Sequence, residues 1–335
     1  MKYHLVALFT VFVWGTTFVS TKVLLASLSP LWILLLRFAI GFVVLCALRP
    51  RILRLSERRH ELLFAAAGAT GIAAYYLLEN VALVFTTATA VGVIVAASPL
   101  FTAVISALLG DRSFLSVRFF VGFALAMGGL VVVGFGAGSD DAAAAFGADA
   151  FFGNLLALLA ALVWAVYSVL VQRIASLGYE TIASTKRTFL WGLAFIVPAT
   201  ALFGGGLASP AILFQWGNAL NLLFLGVVAS AACFVTWGVS VKHLGPTVST
   251  TYIYLVPAIT ATASILLLGE PLNAPIMAGV LMTVAGLLLS QKRERVMGTV
   301  LMTHTTHTQE MTQDGDNVIK DDDVIPVLRH PASSA

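Results

Sequence analysis

Residues 13–18 read VWGTTF and residues 163–168 read VWAVYS, so a segment centred on tryptophan recurs 150 positions later in the chain. Each segment lies inside a long apolar stretch that holds few charged residues. Pro99 recurs in the same way as Pro257, at an offset of 158 positions. Corresponding features therefore follow one another in the same order in both halves, and the sequence predicts two copies of one structural unit.

The composition is that of a membrane protein. Of the 335 residues, 59% are hydrophobic and only 10% are charged, and the mean hydropathy is +0.96. Soluble domains carry about 25% charged residues, so a water-soluble globule is excluded. The 19 Lys and Arg residues lie between apolar runs and not on one polar face, which argues against nucleic-acid binding. Cys46 and Cys233 lie within apolar runs, so neither a disulfide framework nor a thiolate metal site is predicted.

Ten apolar runs are long enough to cross a bilayer, because a helix needs about 20 mostly apolar residues to cross the roughly 30 Å hydrocarbon layer. The predicted spans, numbered one to ten in chain order, are residues 4–27, 31–48, 62–84, 87–109, 116–136, 151–176, 184–204, 218–242, 246–268 and 274–291. The first run leads directly into further spans, so it is predicted to be a retained helix and not a signal peptide. We therefore predict an all-α integral membrane protein with ten transmembrane helices.

The basic residues predict the orientation, because short cytoplasmic loops collect Lys and Arg. With a cytoplasmic amino terminus, the inner segments hold fifteen of these residues and the outer loops hold none. The fifteen are Lys2, Arg49, Arg51, Arg54, Arg58, Arg59, Arg112, Arg118, Arg173, Lys186, Arg187, Lys242, Lys292, Arg293 and Arg295. Both termini are therefore predicted to be cytoplasmic, in a multi-pass protein of the plasma membrane, specifically a bacterial inner membrane.

The ten spans divide into two five-helix units at residues 1–136 and 151–291, joined by an outer loop at residues 137–150. A polar tail at residues 292–335 has too little apolar content to fold alone and is predicted to be disordered. Because five is an odd number, the second unit enters the membrane from the opposite side. Two inverted units are typical of alternating-access transporters, which bind the substrate near the midplane where the units meet.

Short motifs occur in matching order in the two units. They are VWG at residues 13–15, LRF at 36–38, ENVAL at 79–83, SPLF at 98–101, Trp237, HLGP at 243–246, Pro257 and LGEP at 268–271. With these motifs the chain resembles the EamA-type transporters of the drug/metabolite transporter superfamily over residues 4–291. It departs from their usual pattern at Asp111, where Glu is more common, and at the insert around residues 137–150. The resemblance implies secondary transport of small metabolites or drugs, commonly export, without an ATP-binding domain.

Pro99 and Pro257 lie about halfway along the fourth and ninth spans. A proline inside a helix removes one backbone hydrogen bond and clashes with the preceding turn. In a bilayer the freed carbonyl is tolerated where protein or water covers it. The symmetric placement therefore predicts two bends beside a cavity, although a kink packed by neighbouring helices would explain either proline alone.

Aromatic and hydroxyl side chains share one face of the first and sixth spans, by helical spacing. The third and eighth spans carry a corresponding set, in which Tyr75, Tyr76 and Glu79 match Cys233, Phe234 and Trp237. Rings with polar edges suit the wall of a solute site. The two central tryptophans lie ten or more residues inside their spans, which favours a cavity over an interface belt. The predicted substrate pathway is Trp14, Thr17, Thr21, Tyr75, Tyr76, Glu79, Pro99, Trp164, Tyr167, Ser168, Trp237, Tyr252 and Pro257.

Three charged residues lie at least five residues inside the predicted spans, where such groups are costly and usually face the bundle interior. Lys22, Arg37 and Glu79 each lie five or six residues from an outer span end, at a depth of roughly 8 to 9 Å. We predict that Glu79 pairs with Lys22 or Arg37, and that the surplus cation binds a carboxylate-bearing solute or is released when Glu79 takes up a proton. Snorkelling of the two long side chains is the alternative. Glu270 and Asp111, at helix ends, are predicted to cap the next helix.

The leading functional prediction is a secondary active transporter that exports small amphipathic metabolites, such as amino acids, by alternating access. Uptake of an anionic solute is an alternative within the same class. From a different class, a membrane-embedded enzyme acting on lipid or prenyl substrates is the other candidate. The sequence lacks the paired acidic motif, the acyl-transfer His-Asp pair and the metal-ligand cluster that such an enzyme would need. We therefore predict no enzyme activity, no cofactor and no metal; His304 and His307 belong to the polar tail.

The predicted partners are a small-molecule substrate and the lipid bilayer, with proton coupling as one option. Small faces on the fifth and tenth spans leave a homodimer open, because glycines allow helices to approach closely. These faces carry Gly122, Gly128, Gly129, Gly279 and Gly286. Packing within one chain explains the same glycines equally well.

Overall fold

The structure is a computed structural model that describes residues 2–110, 116–136, 148–206, 209–270 and 273–290. Within these ranges the chain is almost entirely helical, and no strand occurs. The α-helices are α1 (Lys2–Leu24), α2 (Pro30–Leu48), α3 (His60–Ala67), α4 (Tyr75–Phe85), α5 (Ala88–Val95), α6 (Ser98–Leu108), α7 (Val117–Gly136), α8 (Ala148–Ser176), α9 (Thr181–Phe203), α10 (Trp216–Leu223), α11 (Cys233–Thr251), α12 (Val256–Leu268) and α13 (Ala274–Ser290). Asp111, most of the predicted outer loop and the predicted tail lie outside the described residues.

Helices occupy the predicted spans because each is a long run of apolar side chains whose backbone groups are satisfied only within a helix. Among the described residues, six helical stretches are long and apolar enough to cross a membrane: Lys2–Leu24, Pro30–Leu48, His60–Phe85, Ala88–Leu108, Ala148–Ser176 and Trp216–Leu244. Shorter apolar helices follow at Val117–Val133, Tyr252–Leu268 and Ala274–Ser290. The prediction of an all-helical chain with several apolar spans is confirmed, and the count of ten crossings stays a prediction.

The break predicted between the eighth and ninth spans, at residues 243–245, is wrong. Helix α11 continues through this point to Thr251 and is followed by a 3₁₀ segment at Tyr252–Leu255. A proline removes only one backbone donor, so the composition around Pro246 does not distinguish a helical connection from a loop.

Helix α1 runs antiparallel to α10 and α11. Near its start, the Thr10 and Thr236 hydroxyl oxygens are 2.7 Å apart. Near its end, the Ser20 hydroxyl donates to Asn221 Oδ1 at 2.6 Å. Residue numbers rise along α1 while those of its partners fall, so the first helix and the eighth predicted span point in opposite directions.

Helix α1 runs parallel to α12 on another of its sides. His4 Nδ1 and the Tyr252 hydroxyl are 2.7 Å apart at the start of α1. Farther along, the buried Thr260 hydroxyl donates to the Gly15 carbonyl oxygen at 2.7 Å. Gly15 itself is in close contact with the α12 side chain of Ile259. The first helix is therefore packed between two segments of the second half that run in opposite directions.

Helices α7 and α13 pack through their small residues. A Cβ atom on Gly122 would come within 2.4 Å of the Ser290 amide nitrogen, and one on Gly286 would come within 2.4 Å of the Ala126 amide nitrogen. Such separations are possible only for glycine, because no side chain stands between the two backbones. Four of the five glycines predicted to form small faces, Gly122, Gly129, Gly279 and Gly286, thus pack between two helices of the same chain.

Candidate functional site

Nine aromatic rings from six helices form one connected network, which we call the aromatic cluster. Its members are Trp14, Phe38, Tyr75, Tyr76, Trp164, Tyr167, Phe189, Phe234 and Trp237. All of them come from α1, α2, α4, α8, α9 or α11. Residues from both halves of the chain therefore build a single site.

Trp164 packs against several other rings of the cluster. Its ring centroid lies 4.6 Å from that of Tyr75, 5.0 Å from that of Tyr167 and 5.8 Å from that of Trp14. The rings meet at interplanar angles between 51° and 87°, the tilted and edge-to-face arrangements that aromatic pairs prefer. Trp164 itself is 8% exposed, so it is held on nearly every side.

Phe234 connects these rings to the rest of the cluster. Its centroid lies 5.9 Å from that of Trp14, 5.2 Å from that of Phe189 and 6.3 Å from that of Phe38. Seven of the nine rings are buried, whereas Trp14 and Trp237 are only half-buried and lie 5.2 Å apart. The cluster therefore has one accessible edge, formed by two indole rings.

Two π-helical segments precede the rings of α4 and α11. They are Gly68–Ala74, directly before Tyr75, and Phe224–Ala232, directly before Cys233. Their first glycines, Gly68 and Gly226, are separated by the same 158 positions as the two prolines. A π segment inserts a residue into the helical turn and is frequent at functional sites. In both halves the π segment changes the direction in which the following side chains point, just before the residues that enter the cluster.

Glycine is required where the first π segment meets the cluster. A Cβ atom on Gly71 would lie 2.1 Å from the Tyr167 ring. This ring packs directly against the backbone of the π segment, and it could not do so beside any side chain. The absence of a side chain at Gly71 thus leaves the space that the Tyr167 ring occupies.

Arg37 is fully buried beside the cluster. Its Nε donates to the Ser230 hydroxyl oxygen at 3.3 Å, and its guanidinium carbon lies 4.2 Å from the Tyr76 ring centroid and 5.3 Å from that of Phe38. A cation at these distances over ring faces is stabilised by the ring quadrupoles. Its two terminal nitrogens have no hydrogen-bond partner among the described residues. Arg37 therefore has donors free for an anionic group.

Glu79 is 1% exposed, and its Oε1 has no hydrogen-bond partner in the described part of the chain. The groups that act on its carboxylate electrostatically are the Arg37 guanidinium and the Tyr75 hydroxyl. The structure thus brings Arg37 and Glu79 into one electrostatic environment without a direct hydrogen bond between them. Both retain unused hydrogen-bonding capacity at the cluster.

Lys22 does not join them, and the pairing of Lys22 with Glu79 is wrong. Its Nζ donates to the carbonyl oxygens of Leu83, at 2.5 Å, and Thr86, at 2.8 Å. These carbonyls belong to the end of α4, where a cation is favoured by the helix dipole. The acidic group that acts electrostatically on Lys22 is Glu270. Equal depth in the predicted spans therefore did not mean contact, because Lys22 binds the end of α4 and Glu79 lies beside Arg37.

Glu270 caps a helix other than the next one along the chain. Its Oε1 accepts from the Ala88 amide at 2.8 Å, and its Oε2 accepts from the Thr89 amide at 3.1 Å and the Thr89 hydroxyl at 2.7 Å. The prediction that it caps the following helix is therefore wrong. It caps α5, in the first half of the chain, because the end of α12 lies beside the start of α5.

The other predicted pathway residues are not members of the aromatic cluster. Pro99 and Pro257 each lie in the first turn of a helix, α6 and α12, after a break in the preceding helix. Thr17 and Ser168 are bonded within their own helices, to the carbonyls of Trp14 and Trp164. The Thr21 hydroxyl is buried without a partner among the described residues. Tyr252 lies away from the cluster, beside His4 at the start of α1.

Sequence reasoning did not assign Phe38, Phe189 or Ser230 to the site. Phe38 and Phe189 are 151 positions apart, close to the 150 that relate the first and sixth spans. Extending the repeat to the second and seventh spans would have paired them. Nothing in the local sequence distinguishes Ser230, which matters only because Arg37 reaches it from another helix.

The profile of the EamA-like transporter family matches residues 1–135 and again residues 151–291. The chain belongs to the EamA-like transporter family. Two proteins similar to this EamA-like chain illustrate the family. An uncharacterised transporter of Archaeoglobus fulgidus is 26% identical over 295 residues, which cover 88% of this chain and 98% of the relative. A probable terminal-alkyne amino-acid exporter of Streptantibioticus cattleyicolor is 27% identical over 287 residues, 85% of this chain and 91% of the relative.

A solved crystal structure has a similar fold. It superposes on this EamA-like chain with a TM-score of 0.61 at 20% sequence identity, and the match covers 86% of this chain and 96% of the other. At this identity the likeness concerns the fold alone. Family membership and relatives named as transporters together indicate a transporter and not an enzyme. With several apolar helices, the chain is a multi-pass membrane protein that acts on a small-molecule substrate.

Proposed function

We propose that the protein is a secondary active transporter that exports small zwitterionic metabolites, such as amino acids with apolar side chains, by alternating access. The observation that carries this proposal is the aromatic cluster, in which buried Arg37 and Glu79 keep free hydrogen-bonding groups beside accessible indole rings. A carboxylate would bind the guanidinium, an ammonium group would bind Glu79 or a ring face, and an apolar side chain would contact the indoles.

The proposed topology is ten crossings in two inverted five-helix units, residues 1–136 and 151–291, with both termini in the cytoplasm of a bacterial cell. The two ranges matched by the family profile support this division. The antiparallel packing of α1 against α10 and α11, and its parallel packing against α12, supports the inversion. The one-sided distribution of Lys and Arg supports the orientation. In such a fold the two units rock around a shared site.

The charge at the site favours a zwitterion over an anion. The alternative of anionic uptake depended on a surplus cation beside Glu79. Lys22 instead donates to two carbonyl oxygens, which leaves Arg37 and Glu79 with opposite formal charges. The name of the Streptantibioticus relative, an amino-acid exporter, supports the same substrate class.

Counterflow in proteoliposomes without nucleotide tests this function. Labelled phenylalanine is expected to exchange across the sealed bilayer, and labelled phenylpyruvate, which lacks the amine, is expected to exchange poorly. Preferential exchange of phenylpyruvate would support the anionic alternative, whereas conversion of added lipid into product without exchange would support an enzyme.

Trp164→Phe is expected to lower phenylalanine counterflow about threefold to tenfold, because each aromatic contact contributes about 0.5–1.5 kcal/mol. The phenyl ring keeps the core filled but loses part of the contact with Tyr75 and Trp14. Trp216→Phe is the matched control, since Trp216 is 78% exposed and outside the cluster. Equal losses in both variants would contradict the assignment of the cluster as the substrate site.

Glu79→Gln is expected to reduce transport and to remove its dependence on pH, because the amide cannot take up and release a proton. The measurement is the initial rate of phenylalanine efflux with the internal and external pH varied separately. Glu57→Gln is the control, since Glu57 is exposed and pairs with Arg59 in a loop. If Glu79→Gln leaves both the rate and its pH profile unchanged, the carboxylate does not couple transport to protons.

A further inference from the structure

Polar side chains from both halves of the chain meet at the ends of the helices opposite the amino terminus. Lys22 comes from the end of α1, Thr86 and Thr89 flank the start of α5, Asn154 lies near the start of α8, and Glu270 follows α12. We infer that these five residues form a latch that closes the route from the aromatic cluster to this side of the membrane, and that must open for transport. The inference rests on the proposed function.

Glu270 makes the central contact of the latch. It follows Gly269, whose φ of +67° ends α12 with a left-handed turn that favours glycine. The carboxylate then accepts two backbone N–H groups and one hydroxyl from the first turn of α5. Hydrogen bonds to an ionised acceptor at a helix amino terminus are stronger than neutral ones. One side chain of the second half thus holds a helix of the first half.

Lys22 and Asn154 hold the same connection from two other sides. Lys22 donates to the carbonyl oxygens of Leu83 and Thr86 at the end of α4. The Thr86 hydroxyl donates to Asn154 Oδ1 at 3.0 Å. The short link between α4 and α5 is therefore bonded to α1, to α8 and to the residue that follows α12.

The helices beneath the latch are closely packed. All eight residues of α5 are buried. A Cβ atom on Gly92 would lie 2.7 Å from Thr260, and the Thr260 hydroxyl is bonded to the Gly15 carbonyl. In α6, the other half of the same predicted span, only Ser98, Leu100 and Ala107 are buried. The span is thus fully buried on the latch side and less buried towards the amino-terminal side.

The latch is suited to reversible opening. Lys22, Asn154 and Glu270 are half-buried, so their charged and polar groups can be hydrated when the helices separate. Hydrogen bonds of such groups are exchanged for bonds to water when the helices separate, so each makes a small net contribution. Closure therefore depends on several weak contacts between the halves, and losing one of them shifts the balance towards an open latch.

The modification rate of a cysteine placed between the aromatic cluster and the latch measures whether the latch is closed. Thr17 is suitable because it is 4% exposed and lies in α1 between Trp14 and Lys22. Thr17→Cys is introduced with Cys46→Ala and Cys233→Ala, and the protein is reconstituted into sealed vesicles. Modification by a membrane-impermeant maleimide is then measured separately from each side. Glu270→Gln is expected to raise the rate from the latch side about tenfold, the effect of one lost charged hydrogen bond.

Lys22→Met and Thr89→Val are expected to change the rate in the same direction. Thr89→Val removes one hydrogen bond with little change of shape, so it remains informative if Glu270→Gln reduces the yield of folded protein. Glu180→Gln is the control, because Glu180 pairs with Arg49 in loops outside the latch. Unchanged latch-side modification in both Glu270→Gln and Thr89→Val, with monodisperse protein, would overturn the latch.

A reversible cross-link provides the converse test. The Thr89 hydroxyl and a Glu270 carboxylate oxygen are 2.7 Å apart, so cysteines at both positions lie within reach of a short bifunctional methanethiosulfonate. Bridging them in the protein without native cysteines is expected to stop phenylalanine counterflow, and cleavage by a reductant is expected to restore it. Continued exchange in the bridged protein would show that the latch need not open. Maleimide modification of Thr17→Cys requires no substrate, so absence of counterflow in the unmodified protein would count against the proposed function and not against the latch.

Discussion

Replacing Arg37 with Met is expected to lower the free energy of unfolding by about 3–5 kcal/mol, the usual effect of removing one member of a buried charge pair. Met fills a similar volume, so the loss comes mainly from leaving Glu79 buried without its cation. Arg37 is fully buried and Glu79 is 1% exposed, so solvent cannot replace the missing charge. Unfolding by sodium dodecyl sulfate in mixed micelles, followed by circular dichroism, measures the change.

The double variant Arg37→Met/Glu79→Gln separates electrostatics from packing. Removing both charges is expected to recover a large part of the lost stability, although neither variant is expected to transport phenylalanine. Arg49→Met is the matched control, because Arg49 forms a half-exposed ion pair with Glu180, and it should cost less than about 1 kcal/mol. A double variant whose loss equals the sum of the two single losses would show that Arg37 and Glu79 do not interact.

Replacing Gly129 with Ala is expected to destabilise the packing of α7 against α13, whereas the same change at the neighbouring Gly128 is expected to be harmless. A Cβ atom on Gly129 would lie 2.5 Å from the Thr283 amide nitrogen and 2.6 Å from the Gly279 carbonyl oxygen. Backbone atoms cannot move aside without separating the helices, so the expected loss is about 1–3 kcal/mol. Thermal unfolding in detergent provides the measurement.

Gly128→Ala is the control for helix propensity. The nearest atom to a Cβ at this position is Met282 Cε at 3.6 Å, an ordinary van der Waals distance to a flexible side chain. Alanine also favours the helix by up to about 1 kcal/mol relative to glycine. Gly128→Ala should therefore be at least as stable as the unmodified protein. If the two variants unfold at the same temperature, close backbone packing at Gly129 does not stabilise the fold.

The internal repeat includes the helical segments beside the aromatic cluster, whereas the latch contacts lie on one side of the bundle. The π segments at Gly68–Ala74 and Phe224–Ala232 are present in both halves, at the offset of the two prolines. The contacts of Glu270 and Lys22 are found on one side of the bundle. A symmetric scaffold can thus hold an asymmetric closure, and alternating access requires that the two sides are not open at the same time.

The sequence indicated which aromatic rings lie together better than it indicated which groups the charged residues contact. Trp14, Trp164, Tyr75 and Tyr76 were assigned to one pathway, and the structure brings them into one cluster. Helical spacing places such residues on one face, and a large apolar face must pack against another element. Of the two partners predicted for Glu79, the structure brings Arg37 near it, whereas Lys22 binds the end of α4.

The sequence by itself determined the membrane class, the apolar spans and the order of the repeated motifs. The free energies of transferring the side chains into lipid add up along each segment and do not depend on the other segments. Only the tertiary structure decided that Glu270 caps α5, that Lys22 binds the end of α4, and that Arg37 reaches Ser230. Each of these contacts joins residues far apart in the chain. Their formation depends on which helix faces meet, and that is set by the packing of all the helices together.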